Sequence, residues 1–274
     1  MARQKLGRMN NKNYIIQFGQ EDRPLFFTAV HHGHHIREEL IPYLNLDDAT
    51  RLREEDPFTG EWAALCGNRA IVNTSRFEVD LNRAREEAVY LEPKDAWGLE
   101  VWNRPLPEEI IKTTMRMYDE FYNDMRTAFL AMQKKYGKFI VFDLHSYNFK
   151  RQGPDGPVDN PKENPDVNIG TGTMTNRKHW AGVVDRFISD LSKVSLNGSP
   201  LDVRENVKFR GRQLGRWAHE TFPESACVLS IDIKKIFMDE WSGAMDQRRF
   251  DIIKGGIAAT IPGVLQALSD CGNS

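Results

Sequence analysis

Phe139-Ile140-Val141-Phe142 is a nearly continuous apolar run, and Asp143-Leu144-His145 follows it without a break. A strand can bury such a run only if both its faces are covered, so the run predicts a central strand of a sheet with helices on two sides. The end of that strand then delivers a carboxylate and an imidazole to the edge where open α/β sheets place their ligands.

Leu25-Phe26-Phe27-Thr28-Ala29-Val30 repeats the pattern and runs straight into His31-His32-Gly33-His34-His35, which holds four of the seven histidines. That density is hard to explain by packing. Tyr14 to Phe18 and Ala70 to Thr74 read as further strands, being short, β-branched or aromatic and bounded by turn residues. Pro107 and Glu108 open a long helix in which Ile110, Met117, Phe121, Met125, Ala128 and Met132 recur at helical spacing up to Gly137. Helices over 180–191 and 213–221, strands over 207–209 and 227–233 and a terminal helix complete an α/β alternation. Between Asn148 and Asn176, four prolines and few apolar residues predict a long irregular loop of the lid type.

With 274 residues, 40% hydrophobic and 28% charged, the chain can bury a large core, and no composition break divides it, so 1–274 is expected to be a single globular domain. A formal net charge of -2 with interspersed signs gives no basic field for nucleic acid or an anionic membrane, which leaves small-molecule or peptide substrates. No apolar run approaches the roughly 20 residues that span a bilayer, and the basic start, Met1 to Lys12, lacks the apolar segment of a signal peptide; the expected location is cytoplasmic. Cys66, Cys227 and Cys271 are odd in number and far apart, which argues against a disulfide framework and a thiolate zinc site.

Any metal must therefore use histidine and carboxylate. Neutral imidazole offers a lone pair near neutral pH, and its second nitrogen can be fixed by a neighbouring carboxylate such as Asp143. His31 and His145 are the expected ligands. A catalytic zinc usually takes three protein ligands and leaves a position for water, and Asp56, Glu55, Glu38 and His34 compete for the third place. Arg53-Glu54-Glu55-Asp56-Pro57-Phe58-Thr59-Gly60 bunches three carboxylates ahead of a turn, with Glu54 equally readable as a solvated charge. Arg76 and Arg83 sit among Ser75, Asp80 and Asn82, and a guanidinium fork suits a substrate carboxylate. Asp232 interrupts Val228-Leu229-Ser230-Ile231, where a buried carboxylate needs a partner or a function; general base is the functional reading.

Taken in order, His31-x-Gly33-His34, Glu55 to Thr59, Ser75 to Arg83, Asp143 to Tyr147 and Asp232-x-Lys234-Lys235-x-Phe237-Met238-Asp239-Glu240 resemble the N-formylglutamate amidohydrolase family over most of the chain. That family is similar to zinc carboxypeptidases and aspartoacylases. The resemblance implies a three-layer α/β sandwich with a mixed central sheet of about eight strands, zinc-carboxypeptidase-like, with one divalent metal, zinc, at the strand ends. It implies that Asn82 and Arg83 grip the substrate, with Tyr147 in the same binding role, and that His145 binds zinc. Two features depart from the pattern: His31-x-x-His34 stands where relatives carry His-x-x-Glu, and Asp232 stands for a longer catalytic Glu.

The expected reaction is hydrolysis of an N-formyl or N-acyl amino acid, a small molecule with a carboxylate. Asp232 serves as base and Arg76 stabilises the oxyanion together with the metal. Carboxypeptidase-like cleavage of a peptide end is the alternative, and a metal- or acidic-ligand-binding protein without turnover is the reading outside enzymology.

Overall fold

A computed structural model describes residues 9–10 and 13–271, so the basic start, Met9 and Asn10 apart, lies outside the described residues. The chain runs through β1 (Met9–Asn10), β2 (Tyr14–Gln17), β3 (Leu25–Ala29), α1 (Asp48–Glu54), α2 (Thr59–Ala63), β4 (Arg69–Val72) and α3 (Glu108–Tyr136). It continues through β5 (Phe139–Tyr147), β6 (Val167–Gly170), α4 (Ala181–Leu191) and a small hairpin of β7 (Ser195–Leu196) and β8 (Ser199–Pro200). β9 (Val203–Glu205), α5 (Gln213–Thr221), β10 (Ala226–Lys234) and α6 (Gln247–Asp270) complete it.

Eight strands form one sheet in the order β1-β2-β4-β3-β5-β10-β6-β9. The central four, β4, β3, β5 and β10, are mutually parallel, whereas β2 and β6 join them antiparallel. The sheet is mixed, as expected. Alternation along the strands splits the core in two. Phe27, Ile140, Phe142, Leu229 and Ile231 pack under α2, α4 and α6, while Phe26, Val141 and Val228 pack under α3 and α5. This is the three-layer sandwich that a strand apolar on both faces requires.

α3 follows its sequence signals closely. Glu108 and Glu109 lie in the first turn, Lys134 and Lys135 in the last, and Gly137 ends the helix at φ +74°. Against the expectation that no run approaches this length, α6 is long and apolar enough, by length and composition alone, to cross a membrane. Its Phe250, Ile253, Ile257, Val264 and Leu268 are packed into the core.

Two expectations need correction. The strand predicted at 207–209 lies instead at Val203–Glu205, because Asn168 Oδ1 takes the backbone N–H groups of Val207 (3.0 Å) and Lys208 (2.9 Å) that a ladder would need. The segment 148–176 is not wholly irregular: Val167–Gly170 pairs with both β10 and β9.

Candidate metal centre

Period-2 alternation builds the site. Beyond Phe139 and Val141, the face of β5 that looks toward α3 and α5 carries Asp143 and then His145; beyond Val228 the same face of β10 carries Ser230 and Asp232. The register sets Asp143 beside Ser230, His145 beside Asp232, and Asp232 beside Asn168 of β6. One sheet face thus changes from apolar to polar at the C-terminal ends of its parallel strands. β5 runs on to Tyr147, so His145 sits within the strand rather than beyond its end.

His31, just past β3, reaches the same patch. Asp56, between α1 and α2, joins it because its backbone N–H donates to the His31 carbonyl at 2.9 Å. The Asp56 carboxylate then lies between the two rings, with Oδ2 3.3 Å from His31 Nδ1 and 3.1 Å from His145 Nδ1. The three side chains are buried, and one donor atom from each falls within 4.8 Å of the others. Lys235 holds the approach to this turn, its Nζ donating to the carbonyls of Arg53 and Glu55, the latter at 2.8 Å.

The outer nitrogens are fixed as well. His31 Nε2 is 2.7 Å from Asp80 Oδ1, and His145 Nε2 is 2.9 Å from Asp143 Oδ2. Each imidazole therefore turns Nδ1 inward and has a carboxylate behind Nε2, the arrangement by which proteins orient histidines around a metal. Asp143 is itself held by Thr28 Oγ1 at 2.6 Å. Asp80 accepts from Arg76 Nη2 (2.8 Å), the Asn82 backbone N–H (2.8 Å) and the Tyr90 hydroxyl.

The charges follow from these contacts. Burial works against the charged form of Asp56, but hydrogen bonds and charge from His145 and His31 hold it far below the usual carboxylate range. Asp80 is lowered too, burial being outweighed by the charges of His31 and Arg76. His145 moves the other way: burial depresses it, and the Asp143 and Asp56 carboxylates raise it well above the usual imidazole range. Asp232 is pushed up to about 7 by burial, against the lowering effects of His145 and the Asn168 hydrogen bond at 3.1 Å.

The other candidates are placed elsewhere. His34 and Glu55 pair with each other, Nδ1 to Oε2 at 2.6 Å, and Ser75 donates to the second Glu55 oxygen. Glu38 is exposed on a 3-10 helix, Glu38–Tyr43. Among the described residues only Asp56 joins the two histidines. Glu54, readable as solvated, is buried beside Arg151 at 3.2 Å. Arg76 lines the cavity over His31, Asp56 and His145, with its guanidinium on Asp80, the Glu54 carbonyl (3.2 Å) and the Tyr90 hydroxyl (3.3 Å). Asn82 also lines it, with Nδ2 3.2 Å from His145 Nε2 and Oδ1 accepting the Leu214 N–H at 3.0 Å. Arg83 is not on the cavity wall; it donates to the Asp95 carbonyl at 2.9 Å and lies over Tyr90. Tyr147 is on the wall, but its hydroxyl donates to the Pro165 carbonyl.

Sequence reasoning missed Trp97, Arg151, Phe209 and Arg212, and gave no role to Lys235 of the Asp232 to Glu240 block; all five line the cavity. Trp97 carries one late signal: it precedes Gly98 and both have positive φ, which presents the indole at the mouth over Arg76. The rest come from long-range packing.

Residues 23–237 match the sequence profile of the N-formylglutamate amidohydrolase family. The structure superposes on an N-formylglutamate amidohydrolase from Ralstonia eutropha JMP134 with a TM-score of 0.73, covering 94% of this chain and 99% of that one at 14% identity. A gene product from Agrobacterium tumefaciens superposes with a TM-score of 0.68 at 17% identity, covering 94% and 97%. At these identities the likeness is one of fold. A putative carboxypeptidase A from Shewanella denitrificans OS-217 gives a TM-score of 0.39 at 15% identity, over 92% of this chain and 60% of that one. No curated protein matches the sequence.

Proposed function

The chain belongs to the N-formylglutamate amidohydrolase family, and from that premise we propose that it is a metal-dependent hydrolase cleaving the amide of an N-formyl or N-acyl amino acid. The observation that carries the metal dependence is the pair of buried histidines. Each turns Nδ1 to Asp56 and keeps a separate carboxylate behind Nε2.

His31, Asp56 and His145 would hold a divalent ion, and their nitrogen and oxygen donors suit zinc. When bound, such an ion supplies a Lewis acid for the scissile carbonyl and lowers the pKa of water toward ~7.

Asp232 faces the same cavity beside His145, and with its carboxyl pushed up to about 7 it can take a proton from the attacking water and return it to the departing amine. Arg76 keeps one N–H on each terminal nitrogen beyond those its partners use, and these support the oxyanion. Asn82 anchors the first turn of α5 through Oδ1 and lines the cavity beside His145, so it positions rather than reacts. The substrate is a small molecule with a carboxylate, since Arg76, Arg151, Arg212 and Lys235 all border the cavity.

The test is formate release from N-formyl-L-glutamate by purified protein, before and after chelation, with zinc added back. Activity that disappears with chelator and returns with zinc is expected. Full activity in metal-free protein would overturn the metal dependence, and faster cleavage of C-terminal dipeptides than of formamides would move the reading to a peptidase.

A further inference from the structure

The four cations on the cavity wall differ in what they have left to give. Arg76 is held by Asp80, the Glu54 carbonyl and Tyr90, Lys235 by two backbone carbonyls, and Arg151 by Glu54. Arg212, which directly precedes α5, is exposed, and its guanidinium has neither an ion pair nor a hydrogen bond among the described residues. Arg83 lies off the wall and is occupied by the Asp95 carbonyl.

A second polar group opens onto the same place. Ser230 is 3% exposed and lines the cavity, yet its Oγ has no hydrogen-bond partner among the described residues. A buried hydroxyl without a partner costs about 1–3 kcal/mol, so its presence calls for a ligand. The backbone brings the two together. Gly211 takes φ +87°, and a Cβ there would lie 3.4 Å from Ser230 Oγ and 3.2 Å from Thr173 Oγ1. Gly170 lets the turn come closer still, its own missing Cβ falling 2.4 Å from Gly211 N. Two glycines thus press the turn carrying Arg212 onto the strand carrying Ser230.

We infer that Arg212 and Ser230 form the subsite that binds a carboxylate of the substrate, the guanidinium supplying the charge and the hydroxyl a second donor. The inference rests on the amidohydrolase reading for the identity of the substrate, but not for the existence of the subsite. It assigns the choice of acidic over neutral N-acyl amino acids to a turn that precedes α5.

The experiment compares wild type, Arg212→Met, Arg212→Lys and Ser230→Ala on three substrates: N-formyl-L-glutamate, N-formyl-L-glutamine and the α-amide of N-formyl-L-glutamate. Arg212→Met is expected to lower kcat/KM for the diacid by about 10- to 100-fold, mostly through KM, with Arg212→Lys intermediate and Ser230→Ala losing about 2- to 10-fold. The Arg212→Met penalty should shrink to within about 2-fold on whichever amide lacks the bound carboxylate, which also tells the α from the γ group. An equal penalty on all three substrates overturns the subsite. If wild type hydrolyses none of them, the hydrolase reading falls on its own, and calorimetry with glutarate on zinc-loaded protein decides the subsite. Binding at least about 10-fold weaker in Arg212→Met supports it. Equal binding to both proteins, or none to wild type, overturns it.

Discussion

His31 and His34 stand three residues apart and each meets one of two adjacent carboxylates, Asp56 and Glu55, yet they end in opposite electrostatic surroundings. His34 has Glu55 at Nδ1 and Arg51 at Nε2 (3.0 Å), so its charges are answered locally and its side chain stays 40% exposed. His31 has carboxylates at both nitrogens and shares Asp56 with His145, which also has carboxylates at both. Around that second pair, Asp80 meets Arg76 at 2.8 Å and Arg83 at 3.8 Å, whereas among the described residues no arginine forms an ion pair with Asp56 or Asp143. With neutral imidazoles the three carboxylates outweigh the two guanidiniums by one negative charge in a buried space, where an uncompensated charge costs several kcal/mol. On the proposed reading, a cation between the two rings offsets it. The same kind of histidine–carboxylate contact is a closed ion pair at Glu55, where Arg51 caps His34, and leaves a place for a cation at Asp56, which no arginine caps.

The hardest blow to this comparison is His145→Ala, which should abolish stoichiometric zinc and lower formate release by more than about 100-fold, beyond what loss of an outer partner causes. Elemental analysis and the formate assay measure both, with circular dichroism to check folding. Asp232→Asn should cost about 100- to 10,000-fold in kcat while zinc content stays full, because it removes a proton acceptor and not a ligand. Wild-type kcat/KM should fall as pH drops through about 7, where Asp232 becomes protonated, and an unchanged acid limb in Asp232→Asn would contradict the assignment.

Asp143→Asn tests the outer partners and should weaken zinc binding about 10- to 100-fold, read by competition with a chromophoric chelator. Zinc affinity should also rise with pH. The raised pKa of His145 means that the metal-free site holds a proton there, which the ion must displace. Calorimetry in buffers of different ionisation heat would count the protons released. His34→Gln sits at the small end: activity within about 2-fold of wild type, and a loss of about 1–3 kcal/mol in stability from the buried Glu55 it leaves under-paired. A zinc loss in His34→Gln matching that of His145→Ala would erase the distinction between the two histidines.

Much of this was legible in the chain itself, and the reasons differ by residue. Phe139 to Phe142 declared a central strand because both its faces are apolar, but the strand's continuation to Tyr147 was hidden, since Asp143 and His145 are tolerated on one face only by their partners. His31 and His145 were visible as histidines at the ends of apolar runs. The choice of Asp56 over Glu55 was not, because it depends on the Asp56 N–H meeting the His31 carbonyl 25 residues away. β6 escaped notice because four residues among prolines carry too little pattern, and Arg212 because nothing local distinguishes it from other surface arginines.

Lys235 gives the site a mechanical property as well as an electrical one. It stands three residues beyond Asp232 on the same rising segment and grips the carbonyls of Arg53 and Glu55, immediately ahead of Asp56. The gap between Asp232 and the turn that carries Asp56 is thus bridged by one unbranched side chain, a spacer whose length is four methylenes. Shortening or lengthening that spacer should detune the distance between the two halves of the site without touching either one.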